Sequence, residues 1–215
     1  MNRPPLLITV DGTTASGKGT LAQMLAKTLS YDFFSTGNIY RIVALYAINH
    51  NIALNDESAL TDTAKKLKWE DVLQLEHSNQ LLSSEVSKAA SIVSAIKPLR
   101  AALIEIQRNI PNHKGLILDG RDVGTVIFPN ADCKFFIDAD LETRAHRRFK
   151  QLQEKNKHVI YDDVFKEVRD RDQRDKNRAV APLVPANNAH VIHTTNMDTH
   201  AAHDAMLKII NKVAG

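Results

Sequence analysis

Short apolar runs alternate with amphipathic stretches along most of the chain. The apolar runs are LLITV at 6–10, YDFFS at 31–35, GLILDG at 115–120, KFFIDA at 134–139 and HVIHTT at 190–195. Amphipathic stretches lie between them and after the last, and the first, at 17–30, repeats leucine at helical spacing. Apolar strands that alternate with helices are typical of a parallel sheet covered on both faces. The pattern therefore predicts an α/β fold on a five-stranded parallel sheet.

Two regions interrupt this alternation. In the first, at about 50–110, the segment VLQLE-HSN-QLLSS at 72–84 indicates a β-hairpin, and helical stretches follow around SKAASIVSAI and LRAALIEIQRNI. The second, at about 140–185, is mostly charged helix. We interpret both as insertions into the sheet core, and we expect ligands at the carboxyl ends of the strands.

The segment LLITVDGTTASGKGT places a glycine-rich loop between the first strand and the first helix. Gly12 and Gly17 let the backbone bend so that several N–H groups point to one position, and the helix N-terminus adds partial positive charge. Lys18 supplies a mobile cation for the β- and γ-phosphates. The segment therefore predicts a phosphate loop at residues 12–20.

The residue after Lys18 departs from the usual phosphate-loop motif. That motif has Ser or Thr directly after the lysine, as a magnesium ligand, whereas this chain has Gly19 followed by Thr20. GTPase switches rely on the hydroxyl at this place and on an Asn-Lys-x-Asp motif that reads guanine. The nearest candidate, DKNR at 175–178, has the wrong order. Both observations argue against a switch protein.

Four further segments carry a resemblance to a known family. They are STGNIYR at 35–41, KAAS at 88–91, DGRDVGTVIFP at 119–129 and RDQRDKNRAVAPL at 171–183. Together with GKGT of the phosphate loop, they resemble the bacterial cytidylate kinases, which are nucleoside monophosphate kinases. The resemblance implies a three-layer P-loop kinase fold that transfers the γ-phosphoryl group of ATP to CMP or dCMP, with Mg²⁺ accompanying ATP.

The resemblance also implies a division of the chain. The expected core comprises 1–37, 111–143 and 183–215, an acceptor-binding lobe covers 38–110, and a short lid covers 144–182. The expected ATP-binding residues are those of the phosphate loop: Gly12, Thr13, Thr14, Ala15, Ser16, Gly17, Lys18, Gly19 and Thr20.

Several side chains are expected to hold the acceptor phosphate. By resemblance, Thr36, Tyr40 and Arg41 approach the acceptor, and the planar Arg41 guanidinium can fork onto the CMP α-phosphate. Asp119 ends an apolar strand, where it can orient Arg121 or hold magnesium through water. Arg121 is expected to reach phosphate.

Ser91, Arg100 and Asp122 resemble the residues with which the family reads cytosine. A carboxylate can accept a hydrogen bond from the cytosine 4-amino group, and Ser and Arg can donate to O2 or N3. The 4-oxo group of uracil would face the carboxylate acceptor to acceptor. We therefore expect a preference for CMP over UMP.

The charged region 144–178 contributes more cations. Arg171, Arg174, Asp175 and Arg178 fall at three- and four-residue steps, which predicts one face of a helix. By resemblance, Arg171 and Asp175 bind the acceptor ribose hydroxyls, and Arg178 works near the base and phosphate. The expected catalytic residues are Lys18, Arg121, Arg171 and Arg178, with Arg147 and Arg174 as further candidates for the ATP phosphates.

Two positions depart from the family pattern. Thr13 stands where the family commonly has Pro, and we expect it to change the stiffness of the loop and not its chemistry. Asn38 stands where Ala is frequent, at a position that faces the acceptor pocket.

Charge and composition narrow the function classes. Lys and Arg number 28 against 25 Asp and Glu, a balance that does not indicate a nucleic-acid-binding protein. The single cysteine, Cys133, lies in an apolar run and is expected to be a buried strand residue in a reducing cytoplasm. No targeting or membrane-spanning segment is recognisable. We expect a cytoplasmic monomer without a resident metal site, and the histidine pairs at 190/193 and 200/203 are not interpreted as metal ligands.

Two alternatives remain. The first is a kinase of the same fold for another nucleotide or a hydroxy acid, against which the DGRD and RDxRDxNR segments argue. The second is a nucleotide-dependent switch or a nucleic-acid-binding protein, against which Gly19 and the balanced charge argue.

Overall fold

The computed structural model describes residues 5–154 and 158–214. Five strands form one sheet: β1 (Leu7–Gly12), β2 (Asp32–Ser35), β3 (Leu116–Gly120), β4 (Cys133–Asp138) and β5 (His190–His193). Their order is β2-β3-β1-β4-β5, and the sheet is all parallel. The predicted α/β fold with a five-stranded parallel sheet is confirmed.

Helices connect and cover the strands. Those of the described residues are α1 (Lys18–Leu29), α2 (Gly37–Asn49), α3 (Glu57–Lys66), α4 (Trp69–Leu75), α5 (Ser84–Val93), α6 (Lys97–Arg108), α7 (Leu141–Glu154), α8 (Tyr161–Asn177) and α9 (Thr199–Val213). A 3₁₀-helix covers Asn79–Leu82, and a π-helix covers Val123–Ile127. No helix within 5–154 or 158–214 combines the length and the apolar character that a membrane crossing needs.

The chain divides into two compact units. The first comprises Met1–Phe34, Asn112–Asn177 and Ala181–Gly215, and the second comprises Ser35–Pro111 and Arg178–Val180. The first unit holds the body of the sheet with α1, α7, α8 and α9, and the second holds α2 to α6. The boundaries of the acceptor-binding lobe and the lid stay predictions.

The core of the first unit lies around the central strand β1. Val10 pairs with Asp119 of β3 on one side and with Phe135 of β4 on the other. The buried strand residues pack against α1 and α9, whose contributions include Leu25 and Met206. Cys133 lies buried in β4, as expected, and burial raises the pKa of its thiol to about 12. The central strands β1, β3 and β4 are almost entirely buried, as expected for a parallel sheet covered by helices, whereas the edge strands β2 and β5 are partly exposed.

The second unit is helical, and the predicted β-hairpin at 72–84 is wrong. This segment contains the end of α4 and the 3₁₀-helix. The side chains of Ser78 and Ser83 cap the N-termini of the 3₁₀-helix and of α5. Val72 and Leu81 point inward, whereas Leu73 is half exposed. Apolar runs this short do not distinguish a strand from a helix, and the polar residues that suggested a hairpin loop are helix caps.

The charged region after β4 is helical, as expected, and forms α7 and α8. The two helices pack through a small apolar cluster of Leu152, Val164 and Val168. Charged residues occupy most other positions of both helices. A few of these charged residues are buried, among them Arg144, Asp172 and Asp175.

Candidate active site

The phosphate loop takes the backbone shape that its glycines predict. A side chain at Gly12 would lie 2.1 Å from the Ile137 carbonyl oxygen, so only glycine fits against β4. Gly17, with φ +90°, precedes the first turn of α1. Ala15 also has a positive φ, +59°, which is strained for a residue with a side chain. The loop is therefore held in a specific shape by the surrounding structure.

Thr13 ties the loop to β4. Its N–H donates to the Ile137 carbonyl at 3.2 Å, and its hydroxyl donates to Asp138 Oδ1 at 2.7 Å. A proline at this position would offer neither donor. This chain therefore fixes by hydrogen bonds a position that a proline ring would stiffen.

Lys18 and Asp119 lie together at the carboxyl ends of β1 and β3. Lys18 Nζ is 3.9 Å from Asp119 Oδ2, and both side chains are largely buried. Burial, followed by the charge of Arg121, lowers the pKa of Lys18 to about 7 against the opposing effect of Asp119. Gly19 leaves room for this carboxylate, because a side chain there would begin 3.2 Å from Asp119 Oδ2.

Arg121 and Asp175 form an ion pair beside this cluster. Arg121 Nε donates to Asp175 Oδ2 at 2.8 Å, and Nη2 donates to Thr14 Oγ1 at 3.1 Å. Arg171, one turn before Asp175 on α8, is close enough to lower the pKa of Lys18. The first unit thus brings together residues from the phosphate loop, β3 and α8 that are more than 150 residues apart in sequence.

Arg178 is not on the helix face predicted for it. α8 ends at Asn177, and Arg178 belongs to the second unit with Ala179 and Val180. The prediction was wrong because the spacing of charged residues continues past Asn177, so it does not show where α8 ends. Arg174 is on α8 but exposed, whereas Asp175 is buried.

The second unit arranges the predicted acceptor residues around α2. Arg41 donates to the Leu81 carbonyl and, at 3.3 Å, to Ser87 Oγ. Ser91 is buried one turn after Ser87 on α5. Thr36 and Asn38 lie at the start of α2, the first buried and the second half-buried.

Arg100 of α6 lies over the ring of Tyr40. Its guanidinium carbon is 5.2 Å from the ring centroid, and Nη1 donates to the Ser94 carbonyl at 2.9 Å. The second unit therefore brings Tyr40 and Arg100 together. Asp122, the third residue expected to read cytosine, is buried in the first unit before the π-helix.

Asp11 is a functional candidate that the sequence reasoning missed. Its carboxylate accepts hydrogen bonds from Val123 N at 2.9 Å and from Gly124 N at 2.7 Å, so it binds the first turn of the π-helix directly after Arg121 and Asp122. Burial raises its pKa to about 6, although these two hydrogen bonds oppose the shift. The sequence signal that could have identified Asp11 is a carboxylate within an otherwise apolar strand.

A cavity of about 470 Å³ adjoins the phosphate loop in the first unit. Ala15, Ser16 and Thr20 line it on one side, and Arg147 and Thr194 line it on another. Arg147 donates to the carbonyls of Ser16, at 3.3 Å, and Thr194, at 2.6 Å. The cavity is large enough for a base and sugar, and its lining residues after β5, such as Thr194, were not predicted from the sequence.

Comparison with known proteins identifies the family. The family model described as cytidylate kinase matches residues 8–212. The chain belongs to the cytidylate kinase family. A cytidylate kinase of Vibrio vulnificus strain YJ016 is 43% identical over 95% of each chain. One of Paramagnetospirillum magneticum is 43% identical over 95% of this chain and 97% of its own length.

Solved structures with distant sequences share the fold. An uncharacterised protein from Eubacterium ventriosum is 14% identical and has a TM-score of 0.55, over 97% of this chain and 99% of its own. A gluconokinase from Sinorhizobium meliloti is 13% identical and has a TM-score of 0.50, over 98% and 95% of the two chains. At these identities the likeness concerns the fold alone.

A member of this kinase family binds ATP and a nucleotide acceptor, and its use of ATP implies a divalent metal ion. Within residues 5–154 and 158–214, no three His, Cys, Asp or Glu side chains group as metal ligands. A metal that arrives on ATP needs no such group, because phosphate oxygens and water complete its coordination.

Proposed function

We propose that this chain transfers the γ-phosphoryl group of ATP to CMP or dCMP, giving ADP and CDP or dCDP. The observation that carries the proposal is the cluster of Lys18, Asp119 and Arg121 at the carboxyl ends of β1 and β3, in a member of the cytidylate kinase family. Ligands of open parallel sheets bind at this edge.

ATP would bind with its phosphates in the phosphate loop and its adenosine in the adjoining cavity. The loop amides and the N-terminus of α1 supply fixed positive ends of dipoles, and Lys18 adds a mobile charge. The cavity borders Ala15 and Thr20, so a nucleotide held by the loop extends into it. Arg147 lies at its wall as a further cation.

Transfer requires positioning and charge neutralisation more than proton transfer. The acceptor phosphate oxygen is already a nucleophile once cations offset the repulsion between the two phosphate groups. In this proposal Lys18, Arg121, Arg171 and Arg178 supply those cations. Asp175 supports this role for Arg121 because it holds the guanidinium through Nε, while Nη2 donates to Thr14 Oγ1 of the phosphate loop.

Mg²⁺ is the metal that we propose accompanies ATP. Asp119 offers a hard carboxylate donor next to Lys18, and Mg²⁺ typically takes one or two carboxylates together with phosphates and water. The donor set fits the ion. When bound, Mg²⁺ supplies charge neutralisation at the phosphates, and Gly19 keeps the space in which Asp119 lies.

The acceptor would bind through its phosphate and its base. We assign the α-phosphate to Arg41 with Thr36 and Tyr40, and the cytosine to Ser91, Arg100 and Asp122. The support for this is that Arg41 is anchored on Ser87 and that Arg100 lies over Tyr40 in the second unit. An ordered guanidinium loses less entropy when it binds a phosphate or a base.

We also propose that the chain works as a monomer. Within residues 5–154 and 158–214, the large apolar residues that are exposed come from different segments of the chain: Tyr46, Leu73, Leu82, Ile160, Val184, Val191 and Val213. Single exposed apolar residues are ordinary on a protein surface, whereas stable interfaces need a contiguous patch.

The reaction can be followed directly by ³¹P NMR. With ATP, CMP and Mg²⁺, we expect ATP to be consumed while the resonances of ADP and CDP grow in equal amounts, and the reverse from ADP and CDP. Lys18→Ala should lower kcat by about 100-fold or more, because it removes a charge that stabilises the transition state. It should barely change the melting temperature, because burial disfavours the charged form of Lys18 in the fold.

Lys27→Ala is the matched control, since Lys27 is an exposed lysine at the other end of α1. It should keep wild-type turnover. Wild-type turnover in Lys18→Ala, or formation of ADP without CDP in the wild-type protein, would contradict the proposal.

A further inference from the structure

Thr14, inside the phosphate loop, is bound on both sides of its backbone by an ion pair from α7 and α8. Its N–H donates to Asp172 Oδ1 at 3.2 Å, and its carbonyl accepts from Arg144 Nη1 at 3.0 Å. Arg144 and Asp172 also pair with each other through Nη1 and Oδ2. Both residues are more than nine-tenths buried. The family motifs identified in the sequence assign no role to either.

The guanidinium of Arg144 has a second anchor. Its Nε donates to the Ala139 carbonyl at 2.7 Å, at the end of β4 where α7 is about to begin. The ion pair therefore joins the end of β4, the phosphate loop and the last third of α8. Replacing either charge alone would leave the other buried without its partner.

These contacts fix two peptide planes of the loop. In a trans peptide the C=O and the following N–H point in opposite directions. By holding the Thr14 carbonyl, Arg144 therefore sets the direction of the Ala15 N–H. By holding the Thr14 N–H, Asp172 sets the Thr13 carbonyl, which in turn accepts from Ser16 Oγ at 3.0 Å. Ala15 is the strained residue of the loop, so an outside constraint is needed at this point.

Stability alone does not explain a buried ion pair at this place. Apolar residues of similar volume often stabilise a fold equally well or better than a buried pair. What an apolar pair cannot do is donate to one backbone group and accept from the next. The N–H of Thr14 needs the acceptor on Asp172, and its carbonyl needs the donor on Arg144.

We propose that Arg144 and Asp172 are positioning residues that hold the phosphate loop in its ATP-binding shape before the nucleotide arrives. The inference rests on the proposed function only in that the ligand of the loop is ATP. Neither side chain touches substrate in this account. Both act through the backbone of Thr14.

The same pair connects the loop with the transferring cations. Asp172 lies on α8 between Arg171 and Asp175, and Asp175 holds Arg121. Arg121 in turn donates to the hydroxyl of Thr14. A change in the loop is therefore transmitted to Arg121, and we expect kcat to fall along with ATP affinity.

Three variants separate positioning from folding. Asp172→Asn removes the charge at constant size. The double variant Arg144→Met/Asp172→Leu replaces the pair by apolar side chains and leaves no buried charge. Asp170→Asn is the matched control, because Asp170 forms a half-exposed pair with Arg169 on the same helix. For each we would measure the melting temperature, the Kd of a non-hydrolysable ATP analogue by calorimetry, and KM for ATP and CMP.

Asp172→Asn should weaken binding of the ATP analogue by about tenfold or more, because its amide group donates where Asp172 Oδ2 accepts from Arg144, and losing one hydrogen bond to a charged group has about this effect. KM for ATP should rise with it, whereas KM for CMP should stay within about twofold. The double variant should recover most of the melting temperature and keep the defect in ATP binding. Asp170→Asn should match the wild-type protein in every measurement.

A folded Asp172→Asn variant with wild-type ATP affinity would overturn the proposal. So would a double variant that recovers ATP affinity together with melting temperature, because the pair would then be structural only. The wild-type protein provides a test without any substitution: the Thr14 amide should exchange slowly with solvent in the absence of nucleotide, and exchange as fast as in an unstructured peptide would contradict the proposal. Binding of the ATP analogue without phosphorylation of CMP would refute the proposed function and leave this inference standing.

Discussion

Lys18 is only partly charged at neutral pH until phosphate binds beside it, because its pKa is about 7. Burial and the neighbouring Arg121 lower its pKa to about 7, from 10.5 for an unperturbed lysine. The tetra-anionic phosphates of ATP would stabilise the ammonium form and raise this pKa again. ATP binding is therefore expected to be linked to proton uptake.

Proton uptake can be measured by calorimetry of ATP-analogue binding in buffers with different ionisation enthalpies. At pH 8.5 the free protein has a mostly neutral Lys18, so binding should take up close to one proton. At pH 6 the lysine is already charged, and the uptake by this group should vanish. A heat of binding independent of the buffer at pH 8.5 would contradict this account, and Lys18→Met should abolish the buffer dependence.

Single residues show what could be read from the sequence alone. The positive φ values of Gly12 and Gly17 agree with the bend that the glycine spacing predicts, because such a bend follows from local backbone geometry. The pairing of Arg121 with Asp175 could not be derived from their spacing, since it depends on the tertiary structure that brings α8 to the segment after β3. The resemblance selected both residues, but their direct contact comes from the structure.

The π-helix after β3 is a short element whose first turn is bound by a buried carboxylate. Asp11 accepts from both Val123 N and Gly124 N. Gly124 is required here because a side chain would begin 2.7 Å from Thr9 Oγ1. Since Arg121 and Asp122 directly precede this turn, the carboxylate fixes the chain segment that carries them.

Asp11 makes the stability of the protein decrease as the pH rises. Its pKa is raised by burial from 3.8 to about 6, so the folded protein binds the proton more tightly than the unfolded chain. Its contribution to stability is therefore complete below pH 3.8 and is lost as pH rises through 6, by about 3 kcal/mol for the two-unit shift.

Asp11→Asn should accordingly destabilise the protein more at pH 4 than at pH 7.5. We expect the difference in the free energy of unfolding between wild type and variant to be about 2 to 3 kcal/mol larger at pH 4, by urea denaturation. At both pH values the variant should be less stable, because one backbone N–H loses its acceptor. A cost that is equal at the two pH values, or larger at pH 7.5, would contradict the assigned pKa.

Elements were predictable where their pattern was long. The strands follow from short apolar runs. The helices α2, α5, α6 and α9 follow from an apolar periodicity that extends over ten or more residues. The prediction of a β-hairpin at 72–84 failed because α4, with seven residues, and the 3₁₀-helix, with four, are too short to show a period. The π-helix leaves no periodic signal, since tertiary hydrogen bonds to Asp11 define it.

For the whole molecule, the proposed preference for cytosine is the property that would most clearly separate this chain from other kinases of the fold. We propose that Asp122 accepts from the cytosine 4-amino group, which uracil lacks. Asp122→Asn offers an amide donor to the uracil 4-oxo group instead. The ratio of kcat/KM for CMP to that for UMP should fall by about tenfold to a hundredfold, as expected for one mismatched buried hydrogen bond.

That ratio is measured from initial rates with each acceptor at saturating ATP. Asp132→Asn is a suitable control, because Asp132 is exposed and bonds only to the backbone of Leu7 among the contacts described. An unchanged ratio in Asp122→Asn, with turnover retained, would remove Asp122 from the base contacts. It would leave the phosphate-loop assignments intact.

The most direct test of the account as a whole is ADP formation from ATP and Mg²⁺ with CMP, dCMP, UMP, AMP or no acceptor. The account predicts rapid turnover with CMP and dCMP, weak turnover with UMP, and none with AMP or without an acceptor. Turnover with AMP or UMP in preference to CMP would contradict the roles given to Ser91, Arg100 and Asp122. Absence of turnover with every acceptor would contradict the central claim that this chain is a CMP and dCMP kinase.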